Sequence, residues 1–105
     1  MLEAFQPMGD TLVITAGTAA STAVQCTAGS NYSYRFYNSG VTPVYVEAGL
    51  TSTALAVIPS SGTPANGMPL APGAIEVFNL GPNQFLSAIS SAGTNVLYVT
   101  NGFGV

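Results

Sequence analysis

Chemistry at a protein site needs side chains that titrate, ligate or attack, and this sequence has few of them. Its charged residues are one cation, Arg35, and four carboxylates, Glu3, Asp10, Glu47 and Glu76; lysine and histidine are absent. General acid–base work near neutrality runs mostly through histidine or paired carboxylates. The four acids lie far apart along the chain. Glu47 and Glu76 are the two that neighbouring strands would bring together, and each reads as a solvent-face residue. Without histidine, neither a Ser/His/Asp nor a Cys/His arrangement can be built. Cys26 is alone, so no intramolecular disulfide and no Cys/His zinc site follows. No activating base stands beside it, and it reads as a small buried apolar residue. A Walker-type phosphate loop requires lysine, and no Gly-x-Gly-x-x-Gly follows a strand. Calcium asks for clustered acidic oxygens, whereas Asp10 is the sole aspartate. The expectation is a protein that is not an enzyme, with no catalytic residue, no cofactor, no metal and no small-molecule substrate.

The same charge poverty narrows the partners. Charged residues are 5% of the 105-residue chain, and the net charge is −3, whereas soluble domains average about 25% charged residues. Yet 48% of the residues are apolar, so this is not the composition of a disordered chain. A single arginine cannot supply the counterion release of nucleic-acid binding or the pull of an anionic membrane. The surface is either polar but uncharged, or covered by protein partners, which a chain so poor in charge would favour. The N-terminal run Met1–Pro7 lacks a basic region and a long apolar stretch, so it reads as no signal peptide. No apolar run reaches the length of a membrane helix. Synthesis in a cytoplasm is the expectation.

The elements that would position side chains read as strands. Glycine (12) and proline (7) interrupt the chain too often for helices, and β-branched residues fill the gaps. Apolar runs alternate with polar turns at Thr11–Thr15, Thr22–Cys26, Tyr32–Asn38, Val44–Ala48, Ala54–Ile58, Ala74–Leu80, Gln84–Ser90 and Asn95–Asn101. Eight short strands on one domain predict an all-β, antiparallel β-sandwich of jelly-roll or immunoglobulin-like type. The expected limits are an N-terminal arm at 1–10, the sandwich at 11–101 and a tail at 102–105. Pro59–Pro72 carries four prolines and cannot be a central strand, so it reads as a long loop.

One pairing can be argued in register. If Ser39–Pro43 closes a hairpin, Phe36 faces Val46, Tyr34 faces Ala48, and Arg35 lies opposite Glu47 as a structural ion pair. Two strands look apolar on both faces: Ile75 and Val77 oppose Ala74, Phe78 and Leu80, while Val96 and Tyr98 oppose Leu97 and Val99. Either loops cover the outer faces or another subunit does. The interface candidates are Leu2, Phe5 and Met8 at one end, Phe78 and Leu80 in a strand, and Phe103 and Val105 at the other end. A competing reading is a carbohydrate- or receptor-binding module with a groove lined by Tyr37 and Tyr45.

The run Tyr34-Arg35-Phe36-Tyr37-Asn38-Ser39-Gly40-Val41-Thr42-Pro43-Val44-Tyr45-Val46 resembles a strand–Asn-x-Gly-x-x-Pro-Val–strand unit of small virion proteins of tailed bacteriophages. Met68–Phe78, the run Asn95–Thr100 and the glycine-rich end are similar to further parts of that group. The resemblance implies a head decoration, or cement, protein: a β-sandwich set between capsid subunits that braces the shell. It implies the major capsid protein as partner, the phage head assembled in a host cytoplasm as location, and self-association into dimers or trimers. A neck or tail component of a virion would share the same features.

Overall fold

A computed structural model describes residues 5–19, 21, 24–25, 33–49, 51–80 and 85–103; of residues 8–10, 25 and 103 it describes the backbone alone. The described residues form eight strands and no helix: β1 (Gln6–Ala16), β2 (Val24–Gln25), β3 (Ser33–Asn38), β4 (Val44–Gly49), β5 (Met68–Leu70), β6 (Ile75–Asn79), β7 (Phe85–Ser90) and β8 (Asn95–Phe103). Alternation makes them strands. In β3, Tyr34, Phe36 and Asn38 are buried while Arg35 and Tyr37 are exposed, the period of a half-buried sheet. β8 does the same with Leu97 and Val99 inside and Tyr98 outside.

The strands form two four-stranded sheets, the first in the order β1-β8-β3-β6 and the second β2-β7-β4-β5. All pairs are antiparallel. β1 pairs with β8, β2 with β7, β3 with β6 and β4 with β5, so the chain is one long nested ribbon. Rolling that ribbon brings β3 beside β8 and β4 beside β7, which closes each sheet. This is the jelly-roll sandwich. Between the sheets lie Ile14, Tyr34, Phe36, Val44, Val46, Leu70, Leu86, Leu97 and Val99, all at most 4% exposed. Each large side chain so buried contributes about 1.5–3 kcal/mol.

The roll overturns the expected β3–β4 hairpin. In this topology every connection except β4 to β5 crosses from one sheet to the other. β3 lies between β6 and β8, with Arg35 opposite Val77 and Thr100, while Glu47 in the other sheet lies opposite Ser87. The register Phe36–Val46, Tyr34–Ala48 and Arg35–Glu47 does not occur, and the ion pair it implied goes with it. Phe36 and Val46 do share the core, but from facing layers.

Side-chain hydrogen bonds make Asn38–Pro43 a crossover in place of a turn. Asn38, fully buried, donates through Nδ2 to the carbonyls of Thr42 and Leu70, each at 3.0 Å, and of Ala71 at 3.3 Å. Its Oδ1 accepts from the Gly40 amide at 3.0 Å. Its backbone bonds Ala74 and Gly73 at 3.1 and 2.8 Å. One amide thus ties the end of β3 to the end of β5 and to the chain leaving for β4. The Asn-x-Gly-x-x-Pro-Val signature serves this junction.

Three further expectations change. Ala54–Ile58 is not a strand: its amides bond side chains, Ala56 N–H to Ser87 Oγ at 3.0 Å and Val57 N–H to Asn66 Oδ1 at 2.9 Å, instead of a ladder. The proline-rich segment is loop for most of its length but contains β5, a three-residue edge strand with Pro69 at its middle. An edge is where proline is tolerated, since no outer partner needs its missing N–H. The ends are not arms clear of the sheet from residue 10 and from residue 102: β1 starts at Gln6 and β8 runs to Phe103, with Gln6 opposite Phe103 and Pro7 opposite Gly102. The register shifts between Pro7 and Thr11.

Candidate protein-contact surface

The two sheets treat their outer faces differently. Over the second sheet, residues 51–67 fold back across β4 and β7. Ala56 is 2% exposed against Ser87, whose hydroxyl donates to the Ser21 carbonyl at 2.9 Å. Gly67 is buried and approaches Tyr45 so closely that a methyl group there would stand 2.9 Å from Tyr45 Cβ. Tyr45 is half-buried as a result. The outer face of the second sheet is therefore occupied by the chain's own loop.

Among the described residues, no such loop lies over the outer face of the first sheet. Cross-strand pairs place Val13 beside Tyr98, Tyr98 beside Tyr37, and Tyr37 beside Ile75. These four form one row across all four strands, about 14 Å long at the usual strand spacing. They are 60, 38, 36 and 50% exposed respectively. The two tyrosine rings stack, with centroids 6.2 Å apart and planes 17° from parallel. The next row is Thr11, Thr100, Arg35 and Val77, with the two threonine hydroxyls 2.9 Å apart. The face is apolar, aromatic and hydroxyl-bearing, with Arg35 as the cation among these two rows. An apolar row open to water is the kind of patch that makes a candidate contact surface.

At the far edge of the sandwich, β5 and β6 end their sheets and a cleft of about 300 Å³ lies between the layers. Phe36, Val46, Phe78, Leu80 and Leu86 line it, with Glu47, Ala48, Asn66 and Met68 completing the wall. The Phe78 ring meets Phe36 edge to face at 5.1 Å.

The sequence candidates fall as follows. Phe78 and Leu80 turn inward, pack on the core and line the cleft; the strongly exposed apolar residue of β6 is Ile75. Phe5 is half-buried, its ring against Gly102 of its own domain. Leu2, Val105 and Cys26, and the side chains of Met8 and Phe103, lie outside the described residues. Tyr37 and Tyr45 belong to different sheets and face away from each other, so no groove joins them. The Val13–Tyr98–Tyr37–Ile75 row was missed because its members come from four strands far apart in sequence. Of the four, the sequence marks Tyr37 alone as outward, and their adjacency exists only in the strand order.

Among the described residues, no three of His, Cys, Asp and Glu group as metal ligands would, and no helix is long and apolar enough to cross a membrane. No protein-family model, curated protein or solved structure matches this chain.

Proposed function

We propose that this protein is a non-catalytic structural subunit of a virion, a decoration protein that braces a phage head by seating the outer face of its first sheet on capsid subunits. The observation that carries the reading is the exposed row Val13–Tyr98–Tyr37–Ile75, left bare while the chain covers the opposite sheet with its own loop. The motif resemblance, the jelly-roll sandwich and the near absence of charge support the same reading. Four large side chains are a modest contact. On a symmetric lattice that contact repeats, and oligomerisation of the subunit would multiply it again.

The test is sedimentation with assembled tailed-phage heads stripped of accessory proteins. The wild-type chain is expected to pellet with the heads. A Tyr98→Ser/Ile75→Ser variant, shown to be folded by circular dichroism, should stay in the supernatant. A wild-type chain that remains a free monomer beside intact heads refutes the proposal.

A further inference from the structure

The cleft between the sheet edges is a second feature, separate from the outer face, and it does not rest on the decoration reading. It combines three properties. Its wall is apolar, made by core residues such as Phe36, Val46, Phe78 and Leu86. Its mouth is bordered by sheet edges: β6, five residues without proline, and β5, three residues with Pro69. The carboxylate on the inward side is Glu76, which lies opposite Phe36 on β6 and is exposed at the edge. Glu47, although part of the wall, alternates with the inward Val46 and Ala48 and lies opposite Ser87 on the outer side of its sheet. Arg35, between Tyr34 and Phe36, points to the other side of its sheet.

We infer that this cleft takes an extended segment of another protein, which adds as a strand to the outer edge of β6, unpaired among the described residues, and inserts one bulky apolar side chain. An unpaired edge offers backbone donors and acceptors to such a strand, and alternate pockets select its side chains. β6 is the edge that accepts, because proline removes a donor from β5. The period of two then fixes the recognised pattern. A side chain opposite Phe78 enters the cleft, and the residue two positions along the same face lies opposite Glu76. The occupant is therefore apolar–x–Lys/Arg in either chain direction.

A second copy of this chain cannot supply that segment. Its only side-chain cation is Arg35, and Arg35 sits in β3, paired on both edges by β6 and β8. The partner is a different chain with a basic residue to present.

The experiment is a titration of the full chain, followed by backbone amide shifts, with the peptide acetyl-Thr-Phe-Thr-Lys-Val-amide. Two control peptides carry Ser for the Phe and Glu for the Lys. The Phe/Lys peptide should shift β6 resonances, and the Ser peptide should bind at least tenfold more weakly. The Glu peptide should bind about fivefold more weakly or worse. Glu76→Gln should remove the preference for Lys over Glu. Ala48→Trp, which puts bulk at an exposed position of the wall, should cut affinity at least tenfold. Tyr98→Ser, on the outer face, should change nothing here. Should Ala48→Trp fail to fold, Glu76→Gln at its exposed edge position decides the matter. Equal binding of the Phe and Ser peptides, or an unchanged Lys preference in Glu76→Gln, overturns the inference. So does phenethylamine binding as tightly as the peptide, which would make the cleft a small-amphiphile site. Loss of head binding with peptide binding intact would sink only the decoration reading.

Discussion

The side chain of Asn95, at the start of β8, occupies the space where a Cβ on Gly40 would stand. Its Oδ1 accepts from the Val41 amide at 2.9 Å, and its Nδ2 donates to the hydroxyls of Thr42 and Ser90. Thr42 and Ser90 in turn each donate to the Ala92 carbonyl at 2.8 Å. A buried amide thereby joins the β3–β4 crossover to the β7–β8 connection. Glycine at position 40 is required by this approach, not by a positive φ.

Gly40→Ala is accordingly expected to destabilise the fold by about 2–4 kcal/mol, through overpacking and lost hydrogen bonds. Alanine at position 95 would keep a Cβ in clash with a Cβ on residue 40, so Asn95→Gly is the change that removes the obstacle as well as the bonds. In that background Gly40→Ala should cost less than about 1 kcal/mol, a coupling that a double-mutant cycle in urea measures. Additive losses would contradict the contact.

Asn38→Asp tests the crossover from its other side. The amide donates to three carbonyls from a site with no exposure. A carboxylate has no proton to give them and would be repelled by all three oxygens. The expected loss is about 3 kcal/mol or more, read as a lower urea midpoint. Asn38→Ser, which keeps a donor, should lose less.

Ser87 anchors the loop over the second sheet, accepting from the Ala56 amide and donating to the Ser21 carbonyl. Ser87→Ala should cost about 1–3 kcal/mol because it leaves a buried N–H unpaired. Limited proteolysis should then cut within residues 51–67 faster than in the wild type, while β3 and β8 stay protected.

Charge placed on the bare face should leave the fold alone. Val13→Lys and Ile75→Lys alter residues at least half exposed, so stability should change by less than about 1 kcal/mol. Co-sedimentation with stripped phage heads should fall in both. A variant that unfolds instead would show that the row is structural packing.

Strand positions were largely legible in the sequence, and their pairing was not. The runs at Val44–Ala48, Ala74–Leu80 and Gln84–Ser90 match strands closely, and Thr11–Thr15 and Asn95–Asn101 lie inside longer ones, because alternating burial leaves its period in the residues. Ala54–Ile58 has the same composition yet lies flat on the second sheet, held by Ser87 and Asn66. The Arg35–Glu47 pairing was a sound local argument that assumed sequential strands to be neighbours. In this roll they almost never are.

By itself, the sequence determined the all-β sandwich, the inward side of β3, and the near absence of charged residues. These are local properties, set by the period of two and by residue type. Tertiary structure decided which strands meet, and hence that Val13, Tyr98, Tyr37 and Ile75 form one row and that Glu76 shares the inward face of edge strand β6 with Phe78, which lines a cleft. Partner choice follows from the best joint burial of all eight strands and from two asparagines that pull the chain across, a sum no single segment contains.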